Sequence, residues 1–583
     1  MSGSFPESQL IIGYREFYRS DPPENRLDIL GEMSKDTVIG EIAALNYRLK
    51  PKRTIYLDTS LETQCNILKH FFLYNPSLYN AYYYRYSKFI KDDNHYGLLI
   101  SRRTCLFALE ELIQSDLPLI KDFNMAESWE KLFQYLLAVN TEITKYETET
   151  VKEEKSGDPL IDFPLEKVNA KLIALNEMSL TTDPIYTPYR GYYFCKYIID
   201  KTELGEYLEK YFVDSYGMVW DNFIFEILGL YIANNPHGEN DIQNPITEEK
   251  LDTSFYFTVQ ERDKFLFEAF SKVYPNPNPH TLISVKKYPF YKHSEDTYTL
   301  LDNQLLIDKA YNQLINDLWF DIIKPVKDNT GKNKYNISAY RSVIGLFFEE
   351  YLRMLFQQLF GDVRYGILKL FDELLLRRGK EQNELADVYF RFNKKIFIAQ
   401  AKTTGIYNNE KYSGELDVLY KKSRNAFFDS FGVGQLVKSI ENLEDMITRI
   451  DFKFPAKKAY RVYPAIIVNE NAMQTPLMAE IFKVRFSELT AHLISTKVTI
   501  FPLTLVHVSD LENMIDNIQG DPSAFFGLLD KAKSYRKFTP PFYKVLDWEG
   551  IYPLHKETMK VFRTLFAKYG TGEGHPNEEL TAE

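Results

Sequence analysis

Asp387, Gln400 and Lys402 have the types and spacing that carry chemistry. Residues 386–392 and 395–402 both read as strands, with Asn393-Lys394 as the connecting turn. A two-residue loop sets Asp387 directly opposite Gln400. Side chains alternate along a strand, so Gln400 and Lys402 share a face, and that face also carries Asp387. One carboxylate, one amide and one ammonium would then converge. Asn-Lys is a weaker turn signal than Asn-Gly, and a slip of one residue would break the alignment.

Such a set suits hydrolysis of a phosphodiester, which needs a divalent ion at the scissile phosphate and a water aimed in line. Mg²⁺ prefers oxygen ligands, which Asp387, the Gln400 amide oxygen and nearby backbone carbonyls supply. Lys402 would orient the water and stabilise charge developing on phosphorus. Lysine at the end of an apolar strand otherwise needs a reason, because burying an unpaired ammonium is expensive. The plainer reading is a surface cross-strand ion pair of Asp387 and Lys402 beside an incidental glutamine.

These strands need elements to position them. Upstream, Gly345–Leu352 lies on an amphipathic helix whose apolar face includes Ile344, Phe348, Tyr351, Leu352, Leu355 and Leu359. Glu349 borders that face; alternatively it forms an i, i+4 surface pair with Arg353. Downstream, Gly432-Val-Gly-Gln435-Leu-Val-Lys-Ser-Ile opens another helix, followed by apolar strands at Arg461–Val468 and Val498–Val508. From about 338 to 515 the order reads helix, strand, strand, helix, strand, strand, helix, an α/β plan.

On four pieces the chain resembles the PD-(D/E)XK nucleases of the restriction-endonuclease-like fold: G-x-x-F-E at Gly345–Glu349, A-D-V at 386–388, Q-A-K at 400–402 and G-x-x-Q-L at 432–436. It is closest in style to the Mrr-type branch, where glutamine replaces the acidic residue before x-Lys. The resemblance covers about 338–515. It implies Asp387 as main metal ligand, the Ala401 carbonyl as a second oxygen, and Glu349 acting on the metal directly or through water. It further implies Gln400 in place of the usual second carboxylate, Lys402 positioning the nucleophile, and Gln435 supporting the site. Two departures matter. No proline precedes Asp387, and Gln400 removes a charge, which weakens metal binding unless Glu349 compensates.

Charge adds a partner. Residues 391–440 hold nine basic against four acidic residues, a +5 window in a chain of net charge −11. Lys411, Lys421, Lys422 and Arg424 are its candidate phosphate contacts; the bland alternative is a solvated charged loop. Global acidity excludes a generally basic nucleic-acid coat protein. The 42 Tyr, 42 Phe and 4 Trp suggest stacking platforms, but core packing explains them more simply.

The expected organisation is α+β and multidomain. A mostly helical sensor, regulatory or substrate-binding region covers 1–280, with apolar periodicity at Glu62–Leu73, Cys105–Ile113, Trp129–Val139 and Leu204–Phe212 and polar loops at Glu149–Asp158 and Asn234–Thr247. A β-hairpin plus helix unit covers 281–335, with strands at Leu282–Tyr291 and Thr297–Leu301 and a helix from about Asn303 to Ile323. The nuclease domain with a central mixed sheet covers 336–515. A C-terminal arm and helix over 516–569 and a disordered tail over 570–583 complete it. Cys65, Cys105 and Cys195 form no C-x-x-C or disulfide framework, and no signal-peptide layout is seen, so a reducing, cytoplasmic setting is expected. Val219–Ala233 is too short to span a membrane, and no G-x-x-x-x-G-K-[ST] loop is present.

The function expected is a Mg²⁺-dependent DNA endonuclease, Mn²⁺ substituting, gated by the helical region. By analogy it would serve antiviral defence or restriction, alone, as a homo-oligomer or with a companion defence protein. Two other readings stay open: a catalytically silent nuclease-like module that binds nucleic acid or scaffolds partners, and RNA as substrate.

Overall fold

The computed structural model describes residues 11–49, 60–73, 75–92, 95–118, 125–149, 164–177, 183–233, 256–259, 264–275, 278–378, 381–421, 423–454, 458–493, 497–533 and 538–570. The expected tail beyond Gly570 and most of the expected loops at 149–158 and 234–247 lie outside these residues, as does Lys422. The chain forms two compact units. One comprises 7–151, 178–337 and 557–583; the other comprises 1–6, 152–177 and 338–556.

The first unit is mostly helical. The apolar periodicities become the helices Leu61–Phe71, Arg102–Ile113, Met125–Glu149 and Gly205–Tyr216, among others. Arg102–Ile113 starts on a capping box, with Ser101 Oγ accepting from Thr104 N–H and Thr104 Oγ1 accepting from Ser101 N–H. A small antiparallel sheet joins Tyr256–Thr258, Thr297–Leu300 and Phe290–Lys292, with the middle-named strand central.

Two expectations fail in this unit. The segment 282–291 is not one strand: Ile283–Lys287 is a short helix, and only Phe290–Lys292 pairs. Buried Glu110, on a helix far away in sequence, accepts from the N–H groups of Ser284 and Val285 and so caps that helix from outside. The expected helix at 303–323 is three pieces, Asn303–Asp308, Asn312–Asp317 and a π-helical turn Leu318–Ile323. The C-terminal helix Thr558–Tyr569 belongs here too, through Lys568 and Tyr569 on Asp221 at 2.7 and 2.6 Å.

The second unit carries the mixed sheet. Its strands are β1 (Gly366–Leu370), β2 (Leu375–Arg378), β3 (Glu381–Glu384), β4 (Val388–Phe392), β5 (Lys395–Lys402), β6 (Tyr460–Val468), β7 (Val498–Ile500) and β8 (Thr504–His507). β1, β4 and β5 run as an antiparallel meander, and β6 lies parallel to β5. β7 and β8 both pair parallel with β6, at its two ends. The register steps by one residue between them, across Pro502, which has no N–H for the ladder. β2 and β3 form a separate hairpin. This α+β arrangement contains β1, the hairpin and the helix Met478–Thr490, none of which the strand count from sequence anticipated.

Helix α1 (Pro164–Glu177), distant in sequence, packs into this unit: Ala170 and Ile173 join the core with Leu374, Leu385, Tyr389, Ile396 and Ile398. Helix α2 (Ile337–Phe360) buries Phe347, Phe348, Tyr351, Leu352, Leu355, Phe356 and Phe360. Phe360 stacks on Phe390 at 4.1 Å, and Phe525 meets Phe397 edge-on at 5.1 Å. The largest fully buried side chains are all Tyr or Phe, so much of the aromatic excess is core. The expected extended arm after Phe538 contains a helix, Phe542–Trp548. Among the described residues no helix is long and apolar enough to cross a membrane. The three cysteines are free, Cys105 and Cys195 fully buried.

Candidate active site

The site lies at the C-terminal end of β5, which there outruns β4 while still paired with β6. Val388↔Ala399 through Phe392↔Lys395 pair in the register that the Asn393-Lys394 turn requires, with Asn393 taking φ +56°. β4 begins at Val388, so Asp387 stands just before the ladder rather than within it. Asp387 N–H still donates to the Ala399 carbonyl at 3.1 Å. Its side chain closes the end of the pair instead: Oδ2 accepts from Ala401 N–H at 2.6 Å.

Alternation along β5 puts Ile396 and Ile398 into the core packed by α3 (Val433–Glu441), and Gln400 and Lys402 continue that face. α3 is amphipathic, burying Val433, Leu436, Val437 and Ile440. The Gln400 amide nitrogen donates to Ser439 Oγ at 3.3 Å, and Ser439 donates its own proton to the Gln435 carbonyl at 2.8 Å. With that proton committed, the serine oxygen can only accept, which fixes which end of the Gln400 amide faces it. Gly432, at the start of α3 with φ +84°, completes the wall. A β-carbon there would lie 2.7 Å from Lys402 Cε, 3.4 Å from Gln400 Cβ and 3.5 Å from Gln435 Oε1.

Two more carboxylates face this group. Burial raises the pKa of Glu349 on α2, the charge of Asp387 raises it further, and Lys402 opposes both. Glu384 closes the β2–β3 hairpin at an exposed rim. Its carboxyl is pushed up to about 7, first by desolvation where it turns toward the site, then by the charge of Asp387 and a hydrogen bond shared with it. Burial raises Asp387 as well, against the Ala401 N–H and the Lys402 charge. Glu384 was not among the residues singled out from sequence. Its signal was faint, a carboxylate three residues before Asp387, and β3 itself was unanticipated.

The structure thus brings Glu349, Asp387, Gln400, Lys402 and Gln435 together around the end of β5, with Ala401 supplying its N–H to Asp387. It treats the basic loop differently. Arg424 is buried in a fork with Glu166 of α1 at 2.9 Å and also reaches Glu488 at 3.2 Å. Lys411 is buried against Glu470 at 2.6 Å, and Lys421 pairs with Glu410 at 2.6 Å. Arg391 is held by Asp451 and Lys395 by Asp530. All of these carboxylates except Glu410 lie outside the 391–440 window, so its +5 is largely cancelled in space. As phosphate contacts, Lys411 and Arg424 are corrected: each holds a protein carboxylate in the interior.

Among the described residues no three His, Cys, Asp or Glu side chains form a group able to hold a metal ion by themselves. No protein-family model, curated protein or solved structure matches this chain.

Proposed function

We propose that the second unit is a metal-dependent endonuclease that hydrolyses phosphodiester bonds of DNA, built on a PD-(D/E)XK-like plan. One observation carries the reading: Asp387, Gln400 and Lys402 meet at one sheet end with two further carboxylates, Glu349 and Glu384, and a single ammonium. Such an excess of negative charge is held in check by a shared proton or by a cation.

The donor set fits a hard divalent ion, Mg²⁺ with Mn²⁺ as substitute, because it is all oxygen: Asp387, Glu384, the Gln400 amide and the Ala401 carbonyl. Bound there, the ion would neutralise the scissile phosphate. The chain's own residues do the rest. Lys402 holds the attacking water and meets charge developing on phosphorus. Asp387 is fixed by Ala401 N–H, and the hydrogen bond it shares with Glu384 would give way to the ion. Glu384 supplies the carboxylate that Gln400 lacks, and Gly432 and Ser439 hold Lys402 and Gln400 in place.

A gated effector of antiviral defence or restriction is the biological role we attach to this activity, because an unrestrained DNA nuclease is toxic to its host. Gating has to be tested on the full chain. A fragment starting at residue 335 would lack α1, leaving Arg424 without Glu166 and the core without Ala170 and Ile173.

The test is incubation of the purified protein with plasmid DNA and with RNA, in Mg²⁺, Mn²⁺ or EDTA, beside Asp387→Ala and Lys402→Ala. Metal-dependent cleavage lost in both variants supports the enzyme. A second reading, a silent nucleic-acid-binding module, draws on Gln400 and on the lack of a three-residue ligand group among the described residues. Tight DNA binding without cleavage in any metal, or with phage lysate added, would establish that reading instead.

A further inference from the structure

Along α2, Arg341, Gly345 and Glu349 fall at successive i, i+4 positions and therefore on one line of the helix. Glu349 belongs to the site. Gly345 leaves the helix surface bare: a β-carbon there would find only Thr403 Oγ1, at 4.0 Å. Arg341 is exposed, and its guanidinium donates to the hydroxyl of Tyr407, which lies five residues beyond Lys402. The guanidinium carbon is 5.2 Å from the centre of the Tyr407 ring, and Lys421 Nζ stands over the same ring at 4.3 Å. Tyr407 is nevertheless 47% exposed.

This cluster differs from its neighbours in charge. Arg391, Lys411 and Arg424 are spent on buried carboxylates. Arg341 makes no ion pair among the described residues, and its partner is a neutral phenol. Stability gives little reason to hold an arginine on an exposed tyrosine about two helical turns before Glu349. An anion arriving from solvent gives a clear one, since a guanidinium and a phenol hydroxyl both donate to phosphate oxygens. Lys421 neutralises Glu410 beneath, which removes the carboxylate that would otherwise repel that anion.

We propose that Arg341 and Tyr407, backed by Lys421, form a phosphate-binding subsite for the substrate strand, reached over the bare surface at Gly345. Eight residues of helix at about 1.5 Å each separate Arg341 from Glu349. That distance corresponds to about three or four nucleotides at the 3.4 Å rise of a stacked strand. The subsite sets the register of the strand against the carboxylates without reading its sequence. The inference rests on the nucleic-acid reading of the same site.

The experiment measures binding of a fluorescein-labelled DNA duplex and its single strand by the full-length protein. Ca²⁺ replaces Mg²⁺, and a salt series is run for wild type, Arg341→Ala, Arg341→Lys, Tyr407→Ala and Tyr407→Phe. Arg341→Ala should weaken binding about three- to tenfold and lower the salt slope by about 0.9 on duplex, as loss of one phosphate contact does. Arg341→Lys should recover the slope, and Tyr407→Phe should lose less than Tyr407→Ala. A merely structural cluster would move thermal stability in all four variants and leave the slope unchanged, which overturns the subsite. Wild type that cleaves DNA in Mg²⁺ while Arg341→Ala binds equally well overturns the subsite alone. Wild type that neither binds nor cleaves DNA overturns both readings.

Discussion

Gly432 lies so close to Lys402 that a β-carbon on the glycine would stand 2.7 Å from Lys402 Cε. The contact explains a glycine at this point twice over, since φ is also +84° there. Gly432→Ala would strain the backbone by about 1–2 kcal/mol. The clash itself is with the far end of a flexible side chain, so the lysine yields rather than the fold. The expected result is a soluble, folded variant whose denaturation midpoint drops modestly and whose DNA cleavage falls about tenfold or more through kcat. Unchanged cleavage would mean that Lys402 does not act from its observed position.

Glu384 is expected to matter for metal rather than for folding, because it sits at an exposed rim beside Asp387. Glu384→Gln keeps the shape and removes the charge. Mn²⁺ affinity, followed by calorimetry on the full chain, should weaken about 10- to 100-fold while thermal stability holds or rises. Equal Mn²⁺ affinity in wild type and variant would remove Glu384 from the ligand set.

The fork between Glu166 and Arg424 ties α1 to the start of the helix Arg424–Ser430, beyond β5. Glu166→Ala takes the 2.9 Å carboxylate partner from a buried guanidinium and leaves it Glu488, a carboxylate partly open to water. Urea unfolding of the full chain should show a loss of about 3 kcal/mol in the transition that reports this unit. A loss below about 1 kcal/mol would put the pair in the class of solvent-exposed bridges.

Asp510 gives a pH signature independent of the site. It is buried, one oxygen accepts from His507 N–H at 2.8 Å, and the other has no partner among the described residues. Burial pushes its pKa up to about 7. The native state therefore holds a proton that the unfolded chain releases near pH 4, and stability is lost as pH rises from there through 7. Asp510→Asn cannot ionise. Its stability relative to wild type should shift in its favour by a few kcal/mol between pH 4 and 8, at about 1.4 kcal/mol per displaced unit. Parallel pH profiles for the two proteins would show that Asp510 ionises normally.

Much of the site's arrangement is legible in the amino-acid sequence, because it depends on local rules. Strand alternation puts Gln400 and Lys402 on one face, a two-residue turn fixes their register against Val388–Phe392, and helical periodicity lays out α2 and α3. Those rules act over a few residues, so a single chain displays them. What they could not show depends on groups far apart in sequence. Glu110 turned an apparent strand into a capped helix, and Glu166 and Glu470 drew Arg424 and Lys411 inward from an apparently basic loop. A linear window counts charges by position along the chain, whereas Coulomb's law counts them by distance in space. The sequence by itself therefore determined that Asp387, Gln400 and Lys402 meet at the end of β5; tertiary structure alone decided which cations are paired with carboxylates and that Glu384 stands beside Asp387.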